Sequence, residues 1–179
     1  MVIEMDLNEM EIRRESPGEA LHVRLVNELA FGGAAEAEVI DRLRETCSEF
    51  VSLVAVLDDR IIGHILFTPA VLVSNQRRVA GMGLAPLAVL PEYQNQGIGG
   101  QLVRAGLLEM QTCACPFVIV LGHPGYYPRF DFEIASKYGI RSEYEGVPDE
   151  AFMIIVFNQA VLPPDGAVAY YQPEWKEAA

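Results

Sequence analysis

The residues of this chain best suited to chemistry are three glycines that open an apolar helix pattern. An extended run, Leu87-Ala88-Val89-Leu90, ends at Pro91, passes through Gln94-Asn95-Gln96, and becomes Gly97-Ile98-Gly99-Gly100-Gln101-Leu102-Val103. The first turn of a helix carries amides without intrahelical partners and the positive end of the helix dipole, so a pyrophosphate can settle there if no side chain blocks it. Gly97, Gly99 and Gly100 remove the blocking Cβ atoms. Two better-known phosphate motifs do not fit. The third glycine of a dinucleotide fingerprint is missing at its spacing, and no Lys-Ser/Thr pair follows to hold a terminal phosphate and magnesium. Farther along stands a second group, Tyr126-Tyr127-Pro128-Arg129-Phe130-Asp131-Phe132, rich in aromatic rings that also suit simple packing.

Other polar candidates carry weaker signals. His64 lies in a strand pattern among Ile62, Ile65 and Phe67 and reads as a satisfied core histidine. His123 follows an apolar run at its carboxyl end, where open α/β sheets place ligands; it is either a proton-handling group or a loop residue. Glu92 reads as a solvated turn acid. Cys47, Cys113 and Cys115 cannot all pair, and Cys113-Ala114-Cys115 lacks the second Cys/His pair of a zinc site, so they read as reduced structural thiols with no metal implied.

The elements that must position these groups alternate between extended and helical patterns. Met10-Glu11-Ile12-Arg13-Arg14 alternates like a first strand. Ser16-Pro17-Gly18-Glu19 predicts a capped helix start, with Ser16 as N-cap, and a helix carrying Leu21, Leu25 and Leu29 that ends at Phe31-Gly32-Gly33. A second helix follows through Val39, Ile40, Leu43 and Arg44. Residues 51–57 and 61–73 predict an antiparallel hairpin around Asp58-Asp59-Arg60, and residues 74–78 turn into a third strand over 79–90. Ile98, Leu102 and Ala105, with Val103, Leu107 and Met110, space out as a helix of about four turns closed by Pro116. Residues 117–121 read as a parallel strand covered on both faces. A short helix near 126–130 and late strands near 137–141, 151–157 and 167–171 complete a mixed α/β sheet.

Composition bounds the rest. The 179 residues are 51% hydrophobic, enough for one sizeable core, with no linker-like stretch, so one domain over 1–179 is expected. No apolar run approaches the roughly 20 residues that span a bilayer, and residues 1–14 lack a leader pattern; the chain reads as cytoplasmic, with no membrane partner. A net charge of −12 repels phosphate backbones and argues against nucleic acid.

With Gln94-x-x-Gly97-x-Gly99 after Leu87-Ala88-Val89-Leu90-Pro91, and Tyr127-x-x-x-x-Phe132 beyond it, the chain resembles the GNAT superfamily of acetyl-CoA-dependent N-acetyltransferases. The resemblance covers nearly the whole length. It is nearest to a group of small uncharacterised acetyltransferases whose Leu-Gly-x-Pro-x-Tyr-Tyr-x-Arg-Phe run is matched by residues 121–130. It implies the GNAT fold, a single mixed central sheet with helices on both faces. It also implies acetyl-CoA as co-substrate without a metal, and direct attack by a primary amine of a small molecule or peptide on the thioester. The main chains of Leu87, Ala88 and Val89 would pair with the pantetheine arm, and Gln94, Asn95, Gln96, Gly97, Ile98, Gly99 and Gly100 would form the pyrophosphate loop. Tyr127 would protonate the departing thiolate, as a phenol of pKa near 10 can do for a thiol of roughly 8 to 9. Two departures stand out: Asp131 replaces a glycine, and residues 94–96 carry no cation, leaving Arg104 or Arg129 to help from outside. The acceptor is expected beside the two N-terminal helices and the late strands. Alternatives are a CoA-binding module without turnover, and acetylation of a protein N-terminus or lysine. A two-fold dimer suits an exposed late-strand edge.

Overall fold

The structure, a computed structural model, describes residues 9–177; residues 1–8, part of the segment read above for a leader pattern, lie outside the described residues. The chain runs β1 (Glu11–Arg14), α1 (Ala20–Phe31), α2 (Ala35–Thr46), β2 (Val51–Leu57), β3 (Arg60–Val73), β4 (Arg78–Val89), α3 (Ile98–Thr112), β5 (Phe117–Leu121), β6 (Glu133–Ile134), β7 (Ile140–Ser142), β8 (Phe152–Val156) and β9 (Ala167–Tyr170). Asp58 and Asp59 both take positive φ, 49° and 59°, which lets a two-residue turn close the β2–β3 hairpin with the twist the strands need.

All nine strands among the described residues join one sheet. Its main path is β1-β2-β3-β4-β5-β8-β6, and β9 pairs with both the far end of β3 and β7. The β4–β5 pair is parallel and its neighbours are antiparallel, giving the mixed sheet expected. Neighbouring residues of β3 show the layering. A Cβ on Gly63 would meet Leu102 and Ile98 of α3, whereas His64 points the other way and bonds Asn27 of α1. Helices therefore cover both faces, and a Gly106 without a side chain lets the buried Phe67 ring sit against α3.

Four local expectations are corrected. α1 begins at Ala20, because Gly18 has φ 94° and cannot join the helix; Ser16 donates its N–H to the Glu19 carboxylate at 2.7 Å instead of capping with its hydroxyl. Arg13 also donates to that carboxylate, and the two partners hold its pKa down at about 2. Leu21, Leu25 and Leu29 are exposed, while Val23, Val26 and Asn27 form the inward face. The segment near 137–141 is a 3-10 turn over Ala135–Tyr138 before β7, and the late edge is covered in part by the unforeseen two-residue β6. α3 ends at Thr112, before Pro116, where Ala114 takes φ 57°.

Candidate active site

The site is made by a strand that loses its neighbour. β4 and β5 pair only at Met82–Val118, Gly83–Ile119 and Leu84–Val120; beyond Leu84, β4 continues along β3 alone to Val89. The register slips between Ile65 and Phe67 opposite Ala85-Pro86, so a β-bulge carries the proline, which has no N–H to offer a sheet partner. Leu87, Ala88 and Val89 therefore keep one row of main-chain groups turned away from β3. Their side chains take different roles: Ala88 is buried in the core, while Leu87 and Val89 are half-buried and line a cavity.

That cavity, about 560 Å³, opens between the splayed strand and the start of α3. Gly97 holds the helix N-cap at φ 87°, a left-handed conformation costly for other residues, and Asn95 precedes it at φ 60°. The first intrahelical bond closes from Gln101 N–H to the Gly97 carbonyl, so the earlier amides face outward. The two loop glutamines are turned onto their own backbone: Gln94 Nε2 donates to the Val89 carbonyl at 2.9 Å, and Gln96 Nε2 to the Glu92 carbonyl at 3.1 Å. They brace the loop and leave the main chain to meet an anion. A Cβ on Gly99 would lie 2.8 Å from the Tyr126 hydroxyl, which reaches across the same cavity. Arg104 and Arg129 also line it, held over Phe130 at 5.0 Å and over Tyr126 at 4.3 Å. The glycine cradle and the two guanidiniums fit a pyrophosphate, with cations supplied from α3 and the tyrosine segment where the loop has none.

A second cavity, about 300 Å³, lies on the other side of Leu87, which lines both. Tyr127 faces it. Its ring is edge-on to Tyr126, with centroids 5.1 Å apart, and rests on Gly122, where a Cβ would come within 2.3 Å. Burial, with a smaller effect from Tyr126, pushes the Tyr127 phenol well above the usual 10, so it holds its proton more firmly than the ordinary phenol assumed from sequence. Asp131 takes the left-handed conformation at φ 67° and ends the tyrosine turn, so the turn closes without the glycine expected there.

The remaining candidates separate cleanly. His64 is fully buried: Asn27 Nδ2 donates to its Nδ1 at 3.0 Å, so Nε2 carries the proton toward Ser52 Oγ at 3.0 Å. Ser52 in turn donates to Glu15, which pairs with Arg44 at 2.8 Å. Burial and the Arg44 charge lower the His64 pKa to about 3, the state of a neutral structural histidine. His123 is exposed and accepts the Gly125 N–H at 3.0 Å within its own turn. Glu92 pairs with Arg60 at the surface. All three cysteines are free thiols, and among the described residues no cluster of three or more His, Cys, Asp or Glu is set to hold a metal. The second cavity also brings in Glu36, Tyr144, Tyr171 and Trp175. These residues come from three separated parts of the chain and gave no local motif.

The family of acetyltransferase (GNAT) domains matches residues 11–135. The chain belongs to the GNAT acetyltransferase family. It is 39% identical over 135 residues to the uncharacterised N-acetyltransferase YjhQ of Escherichia coli, covering 74% of each chain. It is 33% identical over 165 residues to the uncharacterised N-acetyltransferase YhbS of the same organism, covering 91% of this chain and 97% of YhbS. A crystal structure of YhbS in complex with CoA superposes with a TM-score of 0.86 over 96% of this chain and 94% of that one, at 29% identity. A GNAT acetyltransferase from Brucella melitensis in complex with acetyl-CoA superposes with a TM-score of 0.76 over 93% and 97%, at 31% identity. This GNAT chain is thus an acyltransferase of mixed α/β fold. No helix among its described residues is long and apolar enough to cross a membrane.

Proposed function

We propose that this GNAT acetyltransferase acts as one domain over its 179 residues. It binds acetyl-CoA along the free side of β4 and the 94–100 loop, and acetylates the primary amine of a small molecule in the second cavity. The observation that carries this reading is the shared wall: Leu87 lines both cavities, with Tyr126 facing one and Tyr127 the other. A co-substrate threaded along Leu87, Ala88 and Val89 would bring its reacting end to the boundary between them.

Bound acetyl-CoA supplies an activated acetyl thioester. The chain's own groups do the rest. Amides of Gln96, Gly97, Ile98, Gly99 and Gly100 hold the pyrophosphate, helped by Arg104 and Arg129. A main-chain N–H on the free row of β4 polarises the thioester carbonyl in a site half-closed to water. The neutral amine is held against the carbonyl carbon; the N–C bond forms and the C–S bond breaks. Sulfur leaves with the electron pair and takes the Tyr127 Oη proton, while the nitrogen gives its extra proton to water, from which Tyr127 recovers its own. The acylated amine and CoA thiol are the products.

Titration calorimetry with acetyl-CoA, followed by thiol release in the presence of amines, tests this. Gly99→Val fills the cradle and pushes on the Tyr126 hydroxyl, so it is expected to weaken acetyl-CoA binding at least tenfold while the melting temperature barely moves. Unchanged affinity in that variant removes the loop from the binding site.

A further inference from the structure

We infer that the 300 Å³ cavity selects a small amine with a flat aromatic body, drawn in as its ammonium ion by Glu36 and giving that proton to water before the neutral nitrogen attacks. The inference rests on the N-acetyltransferase reading above and gives its acceptor a chemical class. The volume sits at the lower bound for small-ligand pockets, which suits a single ring with a short aminoalkyl arm. Its walls are ring faces and edges from four separate parts of the chain: Phe31 at the end of α1, Tyr127, Tyr144, and the pair Tyr171 and Trp175. Tyr144 and Tyr171 lie with ring centroids 6.1 Å apart at 30°, a stacked arrangement that extends to a third flat ring.

Polar features of the wall narrow the class. Among the described residues Glu36 is the one charged side chain lining the cavity, and it makes no ion pair with any of them. A lone carboxylate beside electron-rich rings attracts a single cation. A long polyamine would call for several carboxylates along an open groove, and a peptide would need main-chain partners. The Tyr144 hydroxyl and the Trp175 indole N–H are buried without a hydrogen-bond partner, and the Tyr171 hydroxyl feels the Leu121 main chain but meets no partner at hydrogen-bond distance. Trp175 is 8% exposed. Each of these atoms is closed off from the cavity, so the side-chain surface the cavity offers a ligand is ring and aliphatic surface with one carboxylate.

Trp175 is the only tryptophan in the chain, so its fluorescence reports this cavity directly. The experiment saturates the full-length protein with CoA and titrates 2-phenylethylamine, tyramine, a four-carbon aliphatic diamine and a lysine-containing peptide while Trp175 emission is followed. Thiol release from acetyl-CoA is measured with the same four compounds. The two arylalkylamines are expected to shift Trp175 emission saturably and to be acetylated. Glu36→Gln should weaken their binding about tenfold or more and raise KM by the same factor, leaving CoA affinity and kcat in place. Turnover of the diamine or the peptide without turnover of the arylalkylamines overturns the inference while leaving the acetyltransferase reading intact. Equal binding of arylalkylamines by the parent and Glu36→Gln removes Glu36 from recognition. Failure of CoA itself to bind overturns both readings at once.

Discussion

Tyr126 and Tyr127 are consecutive, yet a 3-10 turn aims one at the glycine cradle and the other at the second cavity. If Tyr127 supplies the proton for the departing thiolate, Tyr127→Phe keeps the ring on Gly122 and removes only the acid. kcat is expected to fall by about 10² to 10⁴ with acetyl-CoA affinity unchanged. Because burial raises the phenol above 10, the parent's rate should climb as the acceptor loses its proton and show no falling limb up to pH 10; a phenol of ordinary pKa would begin to turn the profile down there. A fall in kcat of that size in Tyr126→Phe, with Tyr127→Phe normal, would move the acid to the neighbour. Normal turnover in both single variants would assign the proton to solvent or His123. The loop and Tyr127 were legible in the sequence because each lies in a short run of unusual composition. Glu36, Tyr144 and Trp175 were not, since they stand on a helix, a loop and a late 3-10 turn that only the folded chain brings together.

At the scale of elements, periodicity located the three α-helices and the long strands of the described residues, because three-turn helices and seven-residue strands average out local exceptions. It failed where a tertiary fact overrides the local one. The α1 leucines look like a core stripe, but the sheet takes the opposite face, on which Asn27 meets His64. β6, with two residues, is too short to carry a pattern, and the pairing of β9 with β3 depends on chain reversal that no local signal encodes. The histidine at that α1 contact has a measurable signature. Its pKa is about 6.5 unfolded and about 3 folded, so below pH 6.5 the unfolded chain binds a proton that the native one refuses. Stability is complete above 6.5 and falls as pH drops toward 3, with a slope approaching about 1.4 kcal/mol per pH unit. Urea unfolding at pH 7.5, 6.5, 5.5 and 5.0 should show that decline, and His64→Gln should flatten it while lowering stability at neutral pH. An unchanged slope in the variant would assign the decline to other groups.

The whole molecule carries a charge of −12, and the ligand proposed for the glycine cradle is itself an anion, so long-range electrostatics oppose the encounter that local geometry favours. Arg104 and Arg129 are the cations in the cavity wall, and both are already held against rings, Arg129 also donating to the Tyr126 carbonyl at 3.1 Å. Salt acts on the two effects unequally. The field of the distributed carboxylates is screened within a Debye length of about 10 Å at 0.1 M, whereas contact pairs inside a concave wall are screened less. Rising salt therefore weakens the arginine contacts and relieves the global repulsion together. The dissociation constant for CoA should change by less than about tenfold between 0.05 and 0.5 M NaCl, where a site built on many lysines or arginines would lose far more. Removing both cations, with Arg104→Gln and Arg129→Gln combined, leaves only the main-chain cradle against the repulsive field. That variant should bind more weakly at low salt and then tighten as salt is added, reversing the sign of the dependence. A steep loss of affinity with salt that survives in the double variant would place the grip on basic residues outside this cavity.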